Sequence, residues 1–106
     1  MVDRDAHADH MRASSLSRDM GISHEDFLRL LPNALRGLAW RQRGPEILAE
    51  SSAGRVRITL SIEGQRRLGI LSLPVTRVRF DFSGFSPVEQ DAFMTTFDRV
   101  YQRGGG

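Results

Sequence analysis

Apolar and polar residues alternate most regularly between Arg55 and Gly84, in the stretch RVRITLSIEGQRRLGILSLPVTRVRFDFSG. Val56, Ile58, Leu60 and Ile62 have one parity, and Arg55, Arg57, Thr59 and Ser61 the other. A second run repeats the design, with Val78, Phe80 and Phe82 set against Arg77, Arg79 and Asp81. A period of two built from β-branched and aromatic residues predicts half-buried strands. One face must be covered, and the other is arginine-rich and wet.

Between these runs the phase slips. A tight turn is expected at Glu63-Gly64-Gln65, followed by a strand from Arg67 to Leu73, with Pro74 at a corner or edge. In that strand Leu68 and Ile70 have one parity, Leu71 and Leu73 the other. A two-residue turn at Gly64-Gln65 would pair Ile58 with Leu71 and turn Leu71 and Leu73 inward. A three-residue turn would pair Leu60 with Leu68 and turn Leu68 and Ile70 inward. Either register leaves an apolar pair on the arginine face unless a bulge at Gly69 shifts the phase.

Helical periodicity flanks the strands. Ser23 and Asp26 form a capping-box-like pair before Phe27, Leu28, Leu30, Leu31 and Leu35. Pro32 predicts a kink or an end near Leu31, and Gly37 a stop. Leu38–Arg43 and Glu46–Glu50 read as a weaker strand pair around Gly44-Pro45. Ser86-Pro87-Val88-Glu89 sets an N-cap, a first-turn proline and a capping acid. Ala92, Phe93, Thr96, Phe97, Val100 and Tyr101 then recur three and four apart. Phe80, Phe82, Phe93 and Phe97 are the expected core.

The predicted class is α+β. An antiparallel meander of about five strands carries an N-terminal and a C-terminal helix on one face, in the order α-β-β-β-β-β-α. Residues 1–21 lack apolar periodicity and are expected to be a disordered tail. Residues 22–103 form the single domain, and 104–106 a flexible glycine end.

Composition narrows the chemistry. All 15 basic residues are arginine, against 13 acids, for a net charge of +2. Residues 1–21 are net −1 and the rest net +3, which is mildly basic and well short of a dedicated nucleic-acid domain. There is no cysteine, hence no disulfide and no thiolate chemistry. No apolar run approaches the ~18–20 residues of a membrane span, and no apolar leader segment follows the N-terminus. No membrane association is expected, and the cytoplasm is the expected compartment.

Candidate catalytic groups are few. His7 and His10 lie in the tail, and His24 in a first helical turn, where it is expected to face water. Asp3, Asp5, His7, Asp9 and His10 have metal-ligating chemistry but no predicted scaffold. No phosphate loop or dinucleotide fingerprint is present. No enzyme activity, cofactor or metal is predicted.

The outer sheet face is the best functional candidate. Arg55, Arg57, Arg77 and Arg79 should project from it, joined by Arg41 and Arg43 if Trp40 faces the core. With the leftover pair, here Leu71 and Leu73, this reads as a surface for a partner protein or a homodimer. Nucleic acid or another anionic ligand is the alternative, though no aromatic residue on that face offers base stacking.

The terminal Gly104-Gly105-Gly106 supports a third reading. It resembles the Gly-Gly end of ubiquitin-like proteins and sulfur carriers, whose terminal carboxylate is adenylated. That resemblance implies a carrier. The remainder departs from it, since a helix rather than a strand precedes the glycines.

Overall fold

A computed structural model describes residues 13–103. The elements run β1 (Ala13–Met20), α1 (His24–Ala34), β2 (Ala39–Arg43), β3 (Glu46–Glu50), β4 (Arg55–Leu60), β5 (Gly64–Leu68), β6 (Leu71–Ser83) and α2 (Pro87–Arg103). The α+β class and the antiparallel sheet are as the periodicity predicts, with one strand more. The order across the main sheet is β1-β6-β4-β3-β2, and β5 pairs with β6 outside that path.

β1 corrects the expectation that residues 13–20 belong to a disordered tail. Ala13 stands opposite Ser83 and Met20 opposite Thr76, so β1 pairs antiparallel with β6 along its whole length. Only Leu16 and Met20 touch the core from it. An edge strand needs few apolar residues, because its backbone hydrogen bonds to β6 carry much of its attachment. The acid and histidine cluster of residues 3–10 and the terminal glycines lie outside the described residues.

α1 begins where its cap predicts, with the Asp26 N–H donating to Ser23 Oγ at 3.1 Å. Pro32 lies inside the helix, which continues past it to Ala34. The chain leaves through Gly37 at φ +86°, a left-handed conformation that favours glycine. At α2 the capping box is reciprocal. The Ser86 N–H donates to Glu89 Oε1 at 2.7 Å, and the Glu89 N–H donates to Ser86 Oγ at 3.1 Å.

Both helices cover the even-numbered face of β4 and β6. Phe80 meets Phe97 edge to face at 4.8 Å between ring centroids, and Phe97 lies 4.5 Å from Tyr101. Tyr101 in turn stacks on Phe27 of α1 at 4.9 Å. Edge-to-face and offset pairs suit the ring quadrupoles. The Tyr101 hydroxyl donates to the Phe27 carbonyl at 2.7 Å, tying α2 to α1. Burial pushes the phenol above its ordinary range, since its charged form has lost water. Phe80, Phe82 and Phe97 are buried as predicted, whereas Phe93 is only half-buried.

The expected turn at Glu63-Gly64-Gln65 does not exist. Leu68 pairs with Leu71, so the chain reverses at Gly69-Ile70. Gly69 has φ +64°, and no non-glycine residue among those described has positive φ. Glycine at the first central position is the residue order of a type II′ hairpin turn. Gly44-Pro45, with Gly44 at φ +58°, closes β2 on β3 in the same order.

The phase slip lies at Ser61–Glu63, not at Gly69. Leu60 pairs with Val78 and Gly64 with Val75, so three residues on one strand oppose two on the other. This bulge re-aims β5. Even residues of β4 face the core, while even residues of β5 face the same way as Leu71, Leu73 and Val75. Ser61 seals the irregularity. Its N–H donates to the Arg77 carbonyl at 2.9 Å, and its Oγ accepts the Arg77 N–H at 2.9 Å.

Candidate interaction surfaces

The outer sheet face collects the predicted arginines. Trp40 stands opposite buried Ala49 and packs on the core, so Arg41 and Arg43 point outward with Arg55, Arg57, Arg77 and Arg79. Four of these six are matched by acids. Arg77 Nε lies 2.8 Å from Asp19, Arg79 3.1 Å from Asp81, Arg57 3.6 Å from Glu46 and Arg55 3.9 Å from Glu50. The Arg77 hydrogen bond and charge hold the Asp19 carboxyl below its usual range. For Asp81 the hydrogen bond from Ser15 is the larger cause, ahead of Arg79. The face is therefore a lattice of alternating charge rather than a cationic plate. Among the described residues Arg41 and Arg43, on edge strand β2, have no acid within ion-pair distance.

Leu71 and Leu73 are not set among these arginines. They share the outward parity of Arg77 and Arg79 on β6, but lie farther along the strand, where only β5 accompanies it. The paired residues Gly64–Leu68 and Leu71–Val75 form a two-stranded arm that leaves the sheet at the bulge. Every residue from Ile62 to Leu73 is exposed. One side of the arm carries Leu68, Leu71 and Leu73 with Arg66. The other carries Gln65, Arg67, Ser72 and Pro74, and Ser72 Oγ donates to Gln65 Oε1 at 2.8 Å. Five of the six large apolar side chains left exposed among the described residues lie on this segment: Ile62 (91 %), Leu68, Ile70 (102 %), Leu71 and Leu73. The arm holds Arg66 and Arg67 and no acid.

At the root of the arm the bulge meets α1. Glu63 Oε1 accepts the His24 N–H at 2.8 Å, so a carboxylate caps the helix alongside Ser23. The His24 ring Nε2 lies 2.6 Å from the Ser61 carbonyl oxygen and donates to it. His24 is half-buried, not the solvated side chain the sequence suggests. Beside these groups is an open cleft of about 480 Å³. Leu28, Pro45, Leu60 and Ile62 make it apolar, and His24 and Glu63 stand at its edge. Sequence reasoning missed this junction, since residues 24 and 63 meet only through the bulge.

Among the described residues no group of three or more His, Asp or Glu side chains is placed to hold a metal ion. No described helix is long and apolar enough to cross a membrane. No protein-family model, curated protein or solved structure matches the chain.

Proposed function

We propose that this chain is a non-enzymatic interaction module whose principal contact surface is the β5–β6 arm. The arginines of the outer sheet face form a charged rim beside it. One observation carries the reading: the exposed large aliphatic residues are concentrated on a two-stranded arm instead of being scattered over the body. Contiguous exposed apolar surface is what binding sites have and ordinary monomer surfaces avoid. Burying a leucine or isoleucine contributes roughly 1.5–3 kcal/mol, so a few such residues suffice to anchor a complex. The paired arginines suit a rim. Exposed ion pairs contribute at most about 1 kcal/mol each, and they govern encounter and selectivity more than affinity.

The double variant Leu71→Ser/Leu73→Ser tests this. Both side chains are exposed, so the fold should survive by circular dichroism while self-association or partner binding is lost. Unchanged association in both respects would sink the proposal. Reversing Arg77 and Arg79 to Glu separates the anion-binding alternative. A nucleic-acid binder would lose affinity there with a steep salt dependence, whereas an arm-centred contact would weaken only modestly.

A further inference from the structure

We infer that the occupant of the arm is a second copy of this chain, with each arm tip seated in the root cleft of its partner. The inference rests on the reading of the arm as the contact surface and adds where it binds. Two features of the molecule match each other. The tip presents a projecting, fully exposed Ile70 beside Leu68 and Leu71 at a tight turn. The root presents a concave site of about 480 Å³ whose apolar residues include Leu28, Leu60 and Ile62. Ile62, 91 % exposed, lies at the root of the arm, whereas Leu68, Ile70 and Leu71 lie at its tip and Leu73 midway along it. Seating Ile70 of one copy against Ile62 of another would cover both.

Charge runs the same way. The arm holds two arginines and no acid, while Glu63 lies at the edge of the cleft. Arg67, three residues back from Ile70, would approach the partner's rim as the tip enters. Knob and hole sit at the two ends of one arm, so a two-fold axis crossing the paired arms satisfies both contacts at once. That is an isologous interface: each copy gives a tip and receives one. Reciprocity also doubles the area, moving a single-hairpin contact toward the about 1,600 Å² that specific interfaces bury.

The test is solution mass by light scattering and analytical ultracentrifugation on the full chain, over a range of concentration and salt. Two variants are compared with the parent: Ile70→Asp, which disables the tip, and Ile62→Asp, which disables the cleft. Both positions are exposed, so both variants should fold, checked by circular dichroism. The parent should be a dimer that survives high salt. Each variant alone should dissociate, its dimer constant weakened by about 10- to 100-fold. An equimolar mixture of the two should recover a dimer, because one intact tip and one intact cleft remain to pair.

A monomeric parent overturns the inference. So does a dimeric parent whose two variants fail to complement, since that would place tip against tip. A monomeric parent that sediments with phosphatidylglycerol vesicles, and loses this in Ile70→Asp, would also overturn it and make a lipid surface the occupant. In that last case the arm remains the contact surface, whereas a monomer that Ile70→Asp alters in neither assay undermines that reading as well.

Discussion

The sheet body and the arm share one strand, β6, and place their apolar residues in opposite ways. From Thr76 to Ser83, β6 has a neighbour on either side over most of its length and helices across one face; Val78, Phe80 and Phe82 vanish into the core. From Leu71 to Val75 it has β5 alone, and its leucines stay in water. A two-stranded ribbon with no layer packed on it is marginal by itself. It persists here because its root is held by the Ser61–Arg77 pairing and by the Glu63 and His24 contacts to α1. The lesson of the contrast is that apolar residues in the body carry stability, whereas those on the arm are free to carry association.

The largest expected effect that would sharpen this contrast is in the body. Phe97 is fully buried and touches Phe27, Phe80, Phe93 and Tyr101, so Phe97→Ala should lower stability by about 3–5 kcal/mol in urea unfolding. A loss below about 1 kcal/mol would mean that the aromatic cluster does not hold the two helices to the sheet.

Next comes a backbone contact. A Cβ on Gly54 would lie 2.1 Å from the Ser83 carbonyl oxygen, where β4 begins beside the end of β6. Gly54→Ala should cost about 1–3 kcal/mol, whereas Gly64→Ala in the arm, whose nearest such contact is 3.8 Å, should fold normally. Equal melting temperatures for the two variants would contradict the tight register of the body.

A smaller effect follows from the surface acids. Arg77 lowers the Asp19 carboxyl, and the Ser86 N–H lowers that of Glu89. A carboxyl depressed in the folded state adds stability that is fully present above its unfolded value of about 4 and is lost as pH falls through the lower folded value. Melting temperature should therefore decline on acidification below about pH 4. Asp19→Asn should flatten that limb; an unchanged acid limb would show that the Asp19–Arg77 pair is fully screened.

The smallest effect is in the arm. Ile70→Ser should change unfolding free energy by no more than about 0.5 kcal/mol at concentrations where the chain is monomeric. A large loss there would break the contrast, since it would make the tip part of the folded core.

Local signals were legible in the chain itself. Ser23 with Asp26, and Ser86-Pro87 with Glu89, announce helix starts because a cap lies within one turn of what it satisfies. Val56–Leu60 and Val78–Phe82 announce strands because both faces appear in the period. The outward set of Arg41, Arg43, Arg55, Arg57, Arg77 and Arg79 follows from the same alternation. Of their acid partners Asp81, two residues from Arg79 on the same strand, follows from it too. Asp19 and Glu46 do not, because Asp19 reaches Arg77 only across the β1–β6 pairing and Glu46 reaches Arg57 only across β3–β4.

What remained hidden depended on contacts distant in sequence. β1 has no strong pattern, because its place comes from backbone pairing with a strand some sixty residues later. The turn at Gly69-Ile70 is hidden in the sequence because apolar runs suggest burial, and Leu68 to Leu73 break that rule by standing in water. Alternation and caps mark both helices, β2 to β4 and the body half of β6, and which of their faces are apolar, since each is decided by neighbours a few residues away. Tertiary structure alone decided the register, the bulge at Ser61–Glu63, the arm and its root cleft. Those depend on which backbone groups of distant segments find partners, and a list of residues does not contain that pairing.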